Sequence, residues 1–346
     1  MNVSNAPTER TVLIGEDAFR VYDWTPAVAA STDTSNSAST PDTDASSNPA
    51  TQTTPTKKPP PLFVLHHGAG SSALSFHLCA VRLADLLAQD QGLNRVGPTV
   101  VALDARGHGA TVCKNEALEL SHLSDDLIRV VEAVRRDADQ EIVLVGHSMG
   151  GAVVVDACQK GAIKNIVGVG VIDVVEGTAI ESLAHMNSIL KAKPSKFRSV
   201  EDAIKWTLRS HLVQNKESAQ ISVPPLLVKK GEPPMYHWRT DLAASEPHWR
   251  GWFDGLSAKF LQLKCGRQLL LAGTDRLDKE LMIGQMQGKF QVVVYPESWH
   301  YVQEDVPGKL ALSLLEFWKR NQKLVIIKRF PIPAKPAVLP ASTATV

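Results

Sequence analysis

Cysteine is scarce in this chain, with four residues in 346, at positions 79, 113, 158 and 265. Spacing this wide fits neither a zinc pattern nor a disulfide framework. It reads as reduced thiols in a cytosolic or nuclear protein. Excess charge is lacking too. The 37 Lys+Arg and 36 Asp+Glu leave a net +1, whereas a nucleic-acid binder shows a basic surplus or stripe, so no nucleic-acid partner is expected. The opening MNVSNAPTER holds no apolar core of a secretory leader. No run of residues approaches the ~20 apolar positions that span a bilayer, so no membrane association is expected. What is present, 44% hydrophobic and 21% charged residues, suits a globular protein with a sizeable core.

Along the chain, RTVLIGEDAFRVYDW (10–24) reads as two short strands around a Gly-Glu-Asp turn. The stretch 27–60 then contains Ser, Thr, Ala, Pro and Asp with almost no large apolar residue. Such a segment cannot bury enough surface to offset its ordering entropy and is expected to be a disordered insertion. Six apolar runs bounded by turn signals follow: 62–67, 99–105, 141–147, 166–173, 268–273 and 291–296. Short, continuous and rich in Val, Leu and Ile, they read as strands buried on both faces of a parallel sheet. Between them, SDDLIRVVEAVRRD has a helical period with Ser124, Asp125 and Asp126 at its expected start.

This alternation predicts an α/β fold, mostly parallel, with helices on both faces. Residues 1–26 would supply the N-terminal strands, 61–176 the first part of the core, and 265–329 its C-terminal part. Residues 177–264 lack a strong strand, hold four of the seven tryptophans, and read as a mostly helical cap inserted in the sheet. From 191 to 264 the cap has 13 Lys+Arg and 7 Asp+Glu, a balance of 13 − 7 = +6. The Pro/Ala-rich tail 330–346 is expected to be disordered.

The chemistry centres on IVLVGHSMGG (142–151). A buried strand runs into Gly-His-Ser-Met-Gly and an apolar helix follows, which is the context of a nucleophile elbow with Ser148 at its tip. The neighbours must be small, because a Cβ there would meet adjacent backbone; Gly146, Gly150 and Gly151 satisfy this. A serine hydroxyl needs a base within hydrogen-bond reach, and in this fold the order is Ser, acid, His. His300, just beyond the last strand in QVVVYPESWHY, is the expected base. His108 comes before Ser148 and is a pocket candidate only. His147 adjoins the serine and is expected to point elsewhere. Two backbone N–H groups should form an oxyanion hole: that of Met149, and that of Ala69 in the HHGAG loop. The turn DARGHG (104–109) reads as mainly structural.

Two acids compete, both at carboxyl ends of strands, where open α/β sheets place their sites. Asp173 ends IVGVGVID, 25 residues after Ser148; Asp275 lies in LAGTDRLD, 25 residues before His300. Pattern alone favours Asp275, the commoner position.

Three stretches go beyond the general pattern: IDVVEGTAIESL (172–183), WRTDLAASEPHWRGWFDGLS (238–257) and LLLAGTDRLDKELMIGQMQGKFQ (269–291). They closely resemble the protein phosphatase methylesterase family, a branch of the α/β-hydrolase fold, over about residues 19–318 with 27–60 outside the likeness. The resemblance implies a serine esterase, without metal or cofactor, that removes the methyl ester from the C-terminal leucine of the protein phosphatase 2A catalytic subunit. It implies Ser148 as nucleophile and His300 as base, and it moves the acid to Asp173 of IDVVE. Where family members often carry HGGG, this chain has HHGAG, and Ala69 still offers an N–H. The long acidic cap insertion of some animal members is missing. Two other readings stay open: a small-ester or lipid hydrolase of the same fold, and a phosphatase-binding protein without catalysis.

Overall fold

The structure is a computed structural model in which residues 6–25, 59–90, 93, 99–273 and 277–329 are described, the side chains of 323–329 excepted. Each apolar run expected as a strand forms one. The order is β1 (Thr8–Ile14), β2 (Asp17–Trp24), β3 (Leu62–His66), β4 (Val100–Leu103), β5 (Ile142–His147), β6 (Ile166–Ile172), then β7 (Lys196–Phe197), β8 (Leu227–Lys230), β9 (Met235–Trp238), β10 (Gly266–Leu271) and β11 (Gln291–Val294). Eight of these pair in the order β1-β2-β4-β3-β5-β6-β10-β11. The β1–β2 and β2–β4 pairs are antiparallel and all pairs from β4 to β11 are parallel.

Both faces of this sheet are covered, which explains the continuous apolar runs. Leu62 and Val64 of β3, with Ile142 and Leu144 of β5, join one core cluster. Their neighbours Phe63, Leu65, Val143 and Val145 join the other. Helix α1 (His77–Ala88) covers the second face, and α2 (Leu120–Val134) with α3 (Met149–Lys160) covers the first. Helix α2 starts four residues earlier than the polar cluster at 124 predicts. Those polar groups serve tertiary contacts instead. Ser124 Oγ donates to Asp156 Oδ2 at 2.7 Å, and Asp126 holds Arg106 at 2.6 and 2.7 Å.

Between β6 and β10 lie α4 (Glu176–Ala192), α5 (Val200–Arg209), α6 (Lys216–Ser222), α7 (Trp249–Phe253) and α8 (Leu256–Gln262). They enclose an element that the helical reading of this region missed, a small antiparallel sheet in the order β7-β9-β8. Its strands have two to four residues, too short for a period of two to be visible. Phe197, Trp206 and Trp238 pack ring against ring at 5.2 to 6.0 Å in this region. Trp249 and Trp252 instead anchor it to the main core, and Trp252 Nε1 donates to the Leu118 carbonyl at 2.6 Å. The chain ends its described part with α9 (Lys279–Met286), α10 (Val302–Asp305) and α11 (Pro307–Arg329). The expected insertion 27–60, apart from its last two residues, and the expected tail 330–346 lie outside the described residues.

Candidate active site

Strand β5 ends at His147 and α3 begins at Met149, so Ser148 alone makes the turn, with φ 53° and ψ −119°. A side chain in that conformation is strained and persists only where its surroundings impose it. The glycines do so by close approach. A Cβ on residue 146 would lie 2.0 Å from the Gly150 carbonyl oxygen, and one on residue 150 would lie 2.3 Å from the His66 carbonyl oxygen. Ser148 N–H donates to Ile172 O at 3.0 Å, which fixes the elbow against the end of β6.

The next residue after Ile172 is Asp173, also at positive φ (47°). Its N–H donates to Leu270 O at 2.8 Å, so the turn leans on the carboxyl end of β10. The carboxylate is fully buried. Oδ1 accepts from Ala272 N–H at 2.9 Å and Oδ2 accepts from His300 Nδ1–H at 2.8 Å. Asp173 is in contact with His300; Asp275, the other acid weighed, lies outside the described residues. Asp278, next along, caps α9 by accepting from Leu281 N–H at 2.9 Å.

With Nδ1 committed to Asp173, Nε2 is the His300 nitrogen left for a hydroxyl. The imidazole is 45% exposed, open to an incoming group. Among the described residues no hydrogen bond joins it to Ser148 Oγ, and such contacts often tighten only when substrate binds. The His300 loop is held from two sides. Asp305 Oδ2 accepts from Trp299 N–H at 3.0 Å, and its Oδ1 accepts from Gln214 N–H at 2.8 Å, tying the loop to the region between α5 and α6. His147, expected to point elsewhere, turns beneath the loop, and its Nε2–H donates to the His300 carbonyl at 2.8 Å. Nothing in the sequence beyond adjacency to Ser148 signals this contact. Burial pulls the His147 pKa down to about 3, so the ring is neutral.

The loop after β3 runs beside the serine: a Cβ on residue 68 would lie 3.1 Å from Ser148 Cβ. Two buried imidazoles hold the loop open. His67 donates from Nδ1 to the Gly68 carbonyl at 2.8 Å and accepts at Nε2 from Ala105 N–H at 3.0 Å. His108 donates from Nδ1 to Arg106 O at 2.8 Å and accepts at Nε2 from Gly70 N–H at 2.9 Å. One donor and one acceptor each fix a neutral tautomer, and burial lowers both pKa values, that of His108 to about 4. Gly70 N–H is thereby occupied, while Ala69 N–H meets no acceptor among the described residues.

The DARGHG turn supports this loop. Asp104 is buried and accepts from Ala73 N–H and Ala110 N–H at 2.8 and 2.9 Å. A cavity of about 320 Å³ separates the turn from the cap, bordered by His108, Arg239, Asp241 and His248. Among the described residues no group of three or more His, Cys, Asp or Glu is placed to hold a metal ion.

Residues 63–311 match the family model described as "Alpha/beta hydrolase family". Protein phosphatase methylesterase 1 of Yarrowia lipolytica is 47% identical over 285 residues, covering 79% of this chain and 68% of that protein. The chain belongs to the protein phosphatase methylesterase family. Its relative of the same name in Schizosaccharomyces pombe is 48% identical over 268 residues, 77% of this chain and 76% of that one. The crystal structure of E-2-(acetamidomethylene)succinate hydrolase matches with a TM-score of 0.66 at 18% identity, over 90% of this chain and 99% of that one, a likeness of fold alone. Membership of this methylesterase family makes the protein a hydrolase of carboxylic esters with the α/β-hydrolase fold. No helix among the described residues is long and apolar enough to cross a membrane.

Proposed function

We propose that the protein is a serine esterase that removes the methyl ester from the C-terminal leucine of the protein phosphatase 2A catalytic subunit. The observation that carries this reading is the Asp173–His300 hydrogen bond at 2.8 Å, formed at the sheet edge where the strained Ser148 turn also lies. The relatives' printed name supports the substrate class.

In this reading Ser148 Oγ attacks the ester carbonyl while His300 Nε2 takes its proton. Asp173 holds Nδ1–H, which fixes the tautomer and stabilises the imidazolium. The N–H groups of Ala69 and Met149 receive the oxyanion; Ala69 suits this because its N–H meets no acceptor among the described residues and Met149 because it opens α3. His300 then protonates methanol as it leaves, and water attacks the acyl-enzyme under the same base. The product is a free carboxylate. No step calls on a metal or an organic cofactor. The four unpaired cysteines support a place in cytosol or nucleus.

A fluorophosphonate probe tests the nucleophile. Wild-type protein should label at Ser148, and the methylated C-terminal peptide of the phosphatase should compete. Ser148→Ala and His300→Ala should not label. Wild-type protein that fails to label would overturn the catalytic reading.

A further inference from the structure

Cys158 and Cys265 are 107 residues apart in sequence, yet their Sγ atoms lie 3.8 Å from each other. Cys158 sits in the last turn of α3, and Cys265 directly precedes β10. Both are half-buried. An open cavity of about 730 Å³ reaches Cys265 between the amino ends of β6, β10 and β11, and Arg267 lines it too. This is the end of the sheet opposite Ser148.

The two thiols are not equivalent. The hydrogen bond between the sulfurs can run either way, and the contact with Cys265, together with burial, raises the Cys158 thiol above its ordinary value. The same hydrogen bond, helped by the Arg267 charge, pulls Cys265 below the ordinary thiol value. A thiolate-leaning sulfur that is reachable from solvent, with a second thiol in contact, is the arrangement of a sensor with its resolving partner.

We propose that Cys158 and Cys265 form a peroxide-responsive disulfide site, with Cys265 as the attacking sulfur and Cys158 as the resolving one. The Cys265 thiolate attacks one oxygen of hydrogen peroxide. The O–O bond breaks, and the departing hydroxide takes a proton to become water, leaving a sulfenic acid. Cys158 sulfur then attacks Cys265 sulfur and displaces hydroxide, which leaves as water with the Cys158 proton. In total two thiols are oxidised to one disulfide and one peroxide is reduced to two waters. The sulfurs must close from 3.8 Å to about 2.05 Å, a movement open to a helix-end residue facing a connecting segment. The link ties the helix that begins beside Ser148 to the strand whose carboxyl end backs Asp173.

The other cysteines serve as internal controls. Cys79 and Cys113 are buried, and burial pushes their thiols up, that of Cys113 to about 12. The full-length folded protein is treated with a modest excess of hydrogen peroxide, alkylated under native conditions, digested and read by mass spectrometry. The expected result is loss of two hydrogens, a linked peptide pair containing Cys158 and Cys265, and reversal by dithiothreitol. In Cys158→Ser, dimedone should trap a sulfenic acid on Cys265; in Cys265→Ser, no adduct should form on Cys158. Alkylation of both thiols after peroxide, sulfinic acid at Cys265 without a link, or a dimedone adduct on Cys158 would each overturn the proposal.

Discussion

The buried imidazole of His147 donates through Nε2 to the backbone carbonyl of His300 at 2.8 Å, with the two ring centres 4.6 Å apart. His147 precedes Ser148 in the chain, so a single residue links the Ser148 turn to the loop that carries His300. Small misplacements of a catalytic group can cost about 10²-fold in rate. His147→Phe keeps a ring of similar volume but removes the donor, and it is expected to lower kcat by roughly 10- to 100-fold with little change in KM. His147→Gln, which can still donate, should recover part of the loss. Steady-state methanol release checks this, with circular dichroism to confirm folding. An unchanged kcat in His147→Phe would mean that the loop positions His300 unaided.

Asp173 and Asp275 can be separated directly. Asp173→Asn leaves the shape intact but removes the acceptor for His300 Nδ1–H, so the wrong tautomer is favoured and kcat should fall by about 10⁴. Asp275→Asn should keep most activity. The reverse pattern in a methanol-release assay would assign the acid to Asp275.

Arg106 and Asp126 form a bidentate pair at 2.6 and 2.7 Å, with side chains only 6% and 2% exposed. Removing one partner of such a pair leaves a buried charge uncompensated and costs about 3–5 kcal/mol. Asp126→Ala should therefore lose stability of that order in urea unfolding, because Arg106 keeps only the Asn115 carbonyl at 2.8 Å and Asp17 at 3.9 Å. A loss below about 1 kcal/mol would show that solvent reaches the site.

Stability should pass through a maximum with pH. Burial lowers His66 and His108 to about 4, His147 to about 3, and His67 well below its usual value. Below about pH 6.5 the unfolded chain protonates these rings while the native state does not, so stability falls with acid. By pH 5 the loss is about 2 kcal/mol for each of His66, His108 and His147, partly opposed by Asp104, which burial raises to about 6. Glu304 acts with the opposite sign on the alkaline side. Burial raises it from 4.5 to about 8, so the native state keeps a proton that the unfolded chain has released. Stability therefore drops as pH rises toward 8, and the maximum is expected near pH 6.5. Urea unfolding from pH 5 to 8.5 measures the curve. Glu304→Gln should flatten its alkaline limb, and a wild-type curve still rising at pH 8 would contradict this assignment.

Much of the fold, and the residues that come together at the candidate site, are legible in the sequence. The buried strands announce themselves because a parallel sheet covered on both faces leaves no polar positions in runs such as VVAL or IVGVGVI. The elbow is visible because close backbone approach at residues 146 and 150 admits only glycine. The acid was not separable by spacing, since strands β6 and β10 are neighbours and their carboxyl ends lead into the same site. What a linear pattern cannot express is also clear. The Ser124 and Asp126 side chains look like a helix start but serve contacts with residues 156 and 106. The two-residue strand β7 has no period to detect. His147 and His108 act through backbone atoms of residues 300 and 70, and nothing in their local sequence records those partners.

Methanol release from whole, C-terminally methylated protein phosphatase 2A tests the central claim most directly. Wild-type protein should release methanol with appearance of the free C-terminal carboxylate, and Ser148→Ala, folded to the same melting temperature, should release none above background. Demethylation by Ser148→Ala at the wild-type rate, or wild-type protein that leaves the methylated phosphatase intact, would contradict it.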